Sequence, residues 1–86
     1  MFYIEKVKMK KQEFEALTAA EKGMELISRG KHLTQLKKGD QLLNLYSFDD
    51  FFVEVYYSVL TDKIDKIDVI SDLSRIDDYI EEHQKS

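Results

Sequence analysis

Asp62, Asp65 and Asp68 recur at every third residue, and carboxylates that close together suggest a divalent-cation site. A calcium loop of the EF-hand type needs ligands at alternate positions, a glycine at the sharp turn and a closing glutamate. This segment has neither the spacing nor the glycine. On a regular strand Asp65 and Asp68 point to opposite faces, so they read as solvated residues of an edge strand, where charge also discourages edge-to-edge pairing. His32 and His83 have no third ligand at a recognisable interval, against the three or four a zinc site takes, and no Ser-His-Asp arrangement is suggested. Asp77/Glu81 and Asp78/Glu82 are i, i+4 carboxylate pairs, which repel mildly on a helix. Glycosidic chemistry would need such carboxylates in a deep cleft. The chain has no cysteine, which excludes disulfides and thiolate chemistry and fits a reducing, cytoplasmic setting. Its three glycines, Gly23, Gly30 and Gly39, are too widely spaced to cradle a phosphate. The sequence therefore predicts no catalysis, no metal and no cofactor.

The aromatic residues carry a stronger positional signal. Six of the ten, Tyr46, Phe48, Phe51, Phe52, Tyr56 and Tyr57, lie between positions 46 and 57. On a strand over 51–59, Phe51, Val53, Val55 and Tyr57 share one face, which reads as core. Phe52 and Tyr56 share the other face with Glu54 between them, and Tyr46 and Phe48 on the neighbouring strand are expected to join them. These four form the candidate interface. Sheet-borne aromatics stack bases in several single-stranded nucleic-acid binders, but here the interleaved charge is a glutamate and the surrounding strands are acidic. The reading therefore favours a protein partner or a homodimer over nucleic acid. The other outcome is structural: Phe2, Tyr3 and Ile4 fold back over the same face and cover it.

Charge is divided along the chain. Residues 1–39 hold nine basic and five acidic side chains, residues 40–86 four and twelve. A basic half points weakly to an anionic partner, and more simply to two halves that attract each other. No run of 18 apolar residues occurs, so no membrane association is expected, and the N-terminus reaches Glu5 without the apolar run of a secretory signal.

The elements that must position these residues follow from local rules. Residues 2–9 read as a helix lead-in, and about Lys10 to Leu17 as a short helix. Thr18-Ala-Ala-Glu21 has the capping-box spacing, so a second helix is expected over Ala19 to about Arg29. Its stripe would be Leu17, Ala20, Met24 and Ile27, with Gly23 allowing a close approach to the sheet and Gly30 as a left-handed cap. Strands follow at about 32–38, 41–48, 51–59 and 64–70, separated by polar breaks that include Lys38-Gly39-Asp40, Asp49-Asp50 and Thr61-Asp62-Lys63. Ser71 or Asp72 caps a last helix whose inner face is Leu73, Ile76, Ile80 and His83, and Glu81 and Glu82 near its negative end predict fraying.

The residues Glu13-Phe14, Leu17-Thr18, Glu21-Lys22, Gly30, Leu45-Tyr46, Phe51-Phe52-Val53-Glu54-Val55-Tyr56-Tyr57 and Ile64-Asp65-Lys66-Ile67 resemble a family of small uncharacterised bacterial proteins. The resemblance covers about residues 10–70. It implies a helical hairpin followed by a β-meander and carries no activity; the basic lead-in and the acidic last helix lie outside it.

The expectation is thus one α+β domain over 1–86: two N-terminal helices, a four-stranded antiparallel meander and one C-terminal helix, all helices on one sheet face. The function expected is a small non-catalytic protein-interaction or self-association module. The alternative is a ligand- or nucleic-acid-binding accessory domain using the basic N-terminal segment and the sheet aromatics.

Overall fold

The computed structural model describes residues 8–84, with side chains through Glu81. Helices α1 (Lys11–Glu15) and α2 (Ala19–Arg29) precede strands β1 (Lys31–Lys38), β2 (Gln41–Phe48), β3 (Phe51–Ser58) and β4 (Lys63–Val69), and helix α3 (Ser74–Gln84) follows. The strands pair antiparallel in chain order, which makes the domain α+β around a meander. Two-residue turns set the register. Gly39 opens the β1–β2 turn and Asp49 the β2–β3 turn, both left-handed at φ +58° and +50°. Glycine takes that conformation without a Cβ clash, and aspartate is among the few other residues that tolerate it. Asp49 is also tied from outside: its carboxylate accepts the Met9 backbone N–H at 2.7 Å and Arg29 Nη1 at 3.2 Å.

The capping box forms as expected. Thr18 Oγ1 accepts the Glu21 N–H at 3.2 Å, and Glu21 Oε1 accepts the Thr18 N–H at 2.9 Å. Glu13 does the same for α1, accepting the Lys10 N–H at 2.8 Å. Residues 8–10 are not helical, and the rest of the expected lead-in lies outside the described residues.

The two faces of the sheet are covered differently. Phe14 of α1 and Leu26 of α2 pack with Phe48, Phe51, Val53, Val55 and Ile67. On the opposite face, Tyr79 of α3 packs with Leu36, Leu43, Leu45 and Ile70, flanked by Phe52, Tyr56 and Ile76. The expected packing of all helices on one face is therefore corrected to a helix layer on each side. The physical reason lies in β1 and β2. The second face of β3 looks mixed alone, but its neighbours add Leu36, Leu43 and Leu45, and that leucine surface has to be buried.

Both longer helices are rotated from their expected orientation. In α2 Leu26 is buried, while Met24 and Ile27 are 69% and 87% exposed. The orientation follows Arg29, which donates to Asp49 at 3.2 Å and to Glu25 of its own helix at 3.1 Å, and lies over the Phe48 ring at 4.6 Å. Gly30 is extended at φ −76° rather than left-handed. Its glycine is required instead by a close approach, because a Cβ there would lie 2.7 Å from the Leu26 carbonyl oxygen. In α3, Tyr79 takes the inner position, Ile76 is partly buried, and Leu73 and Ile80 are 64% and 49% exposed. Asp72 caps the helix start, accepting the Ser74 N–H at 2.9 Å, which lowers its carboxyl pKa. The last turn, expected to fray at Glu81 and Glu82, is helical through Gln84, and the side chain of His83 lies outside the described side chains.

Candidate interaction site

The four aromatics of the expected interface do not form one surface. Because the Asp49–Asp50 turn sets Phe48 opposite Phe51, Tyr46 lies opposite Val53, and both fall on the α1/α2 face. Phe48 is 1% exposed in the core there, and Tyr46 packs at its edge. Phe52 and Tyr56 do share the other face, but α3 lies over it. The two-residue turn was the signal that would have separated the pairs, since a hairpin loop of that length fixes register.

Glu54, between Phe52 and Tyr56, is 2% exposed. Its Oε1 accepts from the Tyr56 hydroxyl at 3.1 Å and from Arg75 Nη2 at 3.1 Å, and its Oε2 from Arg75 Nη2 at 2.9 Å and the Tyr79 hydroxyl at 2.7 Å. A buried carboxylate paired with a guanidinium and two phenols is the kind of cluster that acid–base catalysis uses. Here its oxygens are occupied by the protein's own donors, and two of the donors come from α3. The cluster fastens α3 to the sheet. Burial, reinforced by the bond to Glu54, pushes the Tyr79 phenol far above its ordinary value of 10.0, and burial also raises Tyr56.

That shift predicts alkaline destabilisation. Between the unfolded and folded pKa of Tyr79 the native state holds the proton and the unfolded chain has lost it, so stability is intact below about pH 10 and falls above it. The limiting slope for one tyrosine is about 1.4 kcal/mol per pH unit. Urea midpoints measured from pH 8 to pH 11 should decline above pH 10, less steeply in Tyr79→Phe than in the parent.

The remaining candidates are dispersed. Asp62, Asp65 and Asp68 are exposed, and Asp65 accepts a bond from Gln41 at 2.9 Å. His32 lies on β1, 3.0 Å from the Asn44 side-chain oxygen and edge-on to Tyr46. Among the described residues no three His, Cys, Asp or Glu side chains are placed to hold a metal ion, and no helix is long and apolar enough to cross a membrane. The charge halves do meet: Lys8 pairs with Asp50 at 2.9 Å, Arg29 with Asp49 at 3.2 Å and Lys38 with Asp78 at 3.7 Å.

What the rotation of α2 creates is an open apolar cleft. It holds about 190 Å³ between Leu26 and Ile27 of α2, Tyr46 and Val55 of the central strands, and Ile64 and Ile67 of β4. Gly23 lines it as well, and a Cβ at Gly23 would meet nothing within 4 Å. The close helix-to-sheet approach expected of Gly23 is thus absent; the helix stands off at this point. Gly23→Ala should raise stability by about 0.5–1 kcal/mol, the helix-propensity gain without a steric cost, read as a higher urea midpoint.

No protein-family model matches the chain, and no curated protein or solved structure matches it significantly.

Proposed function

We propose that the protein is a small non-catalytic interaction module that seats an apolar side chain of a protein partner in the cleft between α2 and β4. The observation that carries this reading is the cleft itself, apolar and rimmed by Ile27 and Ile64 at 87% and 55% exposure. Small-molecule and cofactor sites usually enclose about 300–1,000 Å³ around a few convergent polar groups. A cleft of about 190 Å³ without charged lining residues suits one or two side chains instead, the way an interface anchors a central apolar residue. The nucleic-acid alternative needs Phe52 and Tyr56 as an open stacking platform, and both are partly buried beneath α3.

Photo-cross-linking in living cells tests this. A benzophenone amino acid at Ile27 should give covalent protein adducts, identified by mass spectrometry, whereas the same group at the exposed Leu73 should not. Equal yields from both positions, or none from Ile27, would remove the cleft from consideration.

A further inference from the structure

We infer that the occupant of the cleft is a second copy of this chain, joined along β4 in a two-fold symmetric pair; the inference rests on the reading of the cleft as a docking surface. β4 is an outer strand of the sheet, so among the described residues one row of its backbone N–H and C=O groups faces outward without a neighbouring strand. Its sequence, Lys63-Ile64-Asp65-Lys66-Ile67-Asp68, is complementary to itself when run antiparallel. With Asp65 of one copy opposite Lys66 of the other, Ile64 falls opposite Ile67 and Lys63 opposite Asp68. The two-fold axis then repeats every pair.

Neighbouring registers fail on charge. A shift of one residue in either direction opposes Asp65 to Asp65 or Lys66 to Lys66. A shift of two opposes Asp65 to Asp68 or Lys63 to Lys66. Like charges directly opposed on a sheet are destabilising. A shift of three restores opposite charges but shortens the paired stretch. The charges that blunt this edge against indiscriminate pairing therefore also select one register.

The irregularity in β4 fits the same arrangement. Lys66 lies opposite Tyr56 and Ile64 opposite Tyr57, which leaves Asp65 as an extra residue. This bulge puts Ile64 and Ile67 on the same face although they are three apart, as a facing Ile64–Ile67 pair requires. That face is the one with the cleft. Pairing along β4 thus buries the cleft's exposed rim at Ile64 and brings Ile27 to the seam. Lys66 meanwhile bonds Asp68 of its own strand at 3.3 Å, an exposed pair that contributes little and yields to the intermolecular partner.

Sedimentation of the full chain across micromolar to submillimolar concentrations tests the inference. The parent should reach twice its 10.2 kDa chain mass. An acidic variant, Lys63→Asp with Lys66→Asp, and a basic one, Asp65→Lys with Asp68→Lys, should each be monomeric alone and should pair when mixed in equal amounts. Ile64→Lys, at a half-exposed position, should weaken association at least tenfold while keeping the parent's melting temperature, and stands in if a charge variant fails to fold. A parent that is monomeric throughout overturns the inference and leaves the docking reading to the cross-linking result. A dimer that survives the charge variants or Ile64→Lys, or variants that do not pair on mixing, overturns it too.

Discussion

Glu54→Ala should destabilise the folded domain by about 2–4 kcal/mol, from the charge-assisted bonds lost to Arg75, whose side chain is 35% exposed, and from a buried Tyr79 hydroxyl left without its acceptor. A domain of this size has a total stability on the order of 5–10 kcal/mol, so the loss is a large fraction of the total. Arg75 would lose all its bonds to Glu54, and the Tyr79 hydroxyl, on a residue 2% exposed, would lose the acceptor it reaches at 2.7 Å. Because both donors belong to α3, the damage should concentrate there, with amide exchange in α3 accelerating before exchange in β2 and β3. Replacing the whole cluster is a different experiment from breaking it. The combination Glu54→Leu, Arg75→Met, Tyr79→Phe removes both α3 donors together with the acceptor and leaves only the half-buried Tyr56 hydroxyl, and apolar substitution of a buried ion pair is often neutral or stabilising. Urea denaturation of the parent, Glu54→Ala and the triple variant separates the cases. If Glu54→Ala unfolds at the parent's midpoint, the carboxylate does not hold α3.

This cluster also shows where the sequence is legible and where it is not. Strand alternation placed Phe51, Val53, Val55 and Tyr57 on one face and Phe52, Glu54 and Tyr56 on the other, and the pairing agrees. Thr18 and Glu21 cap α2 through contacts only three residues apart. Such features depend on neighbours in the chain. The side of the sheet that α3 covers depends on Leu36, Leu43 and Leu45 from two other strands, and the role of Glu54 depends on donors 21 and 25 residues away. The face of α2 was misjudged for a related reason. Ala20, Met24 and Ile27 form the more apolar stripe, but Arg29 binds Asp49 across 20 residues and turns that stripe outward. The cleft follows from this rotation and so was not readable in advance. The edge-strand reading holds for Asp65 and Asp68 and needed only the position of β4 at the end of the meander, whereas Asp62 falls in the turn before it, at φ +56°.

Phe14→Ala should cost about 3–5 kcal/mol, the range for removing a fully buried phenylalanine ring. Phe14 is 0% exposed and stands against Phe48 and Phe51 at centroid distances of 5.2 and 5.8 Å. Phe48 and Phe51 are themselves 5.5 Å apart, so the three rings close a cluster beside the β2–β3 turn. The effect should extend beyond the cavity. Helix α1 spans only Lys11–Glu15, far shorter than a helix that persists in water without tertiary contacts, and Phe14 is its one buried residue. Loss of the ring should therefore release α1 and, with it, the Met9 N–H that bonds Asp49. In hydrogen exchange the Met9 and Phe14 amides should lose protection well before those of α3, the reverse of the order expected for Glu54→Ala. Phe14→Leu keeps most of the apolar volume and should cost less than half as much. If Phe14→Ala shifts the urea midpoint no more than Phe14→Leu, the ring cluster relaxes around the loss and α1 is held by something other than its phenylalanine.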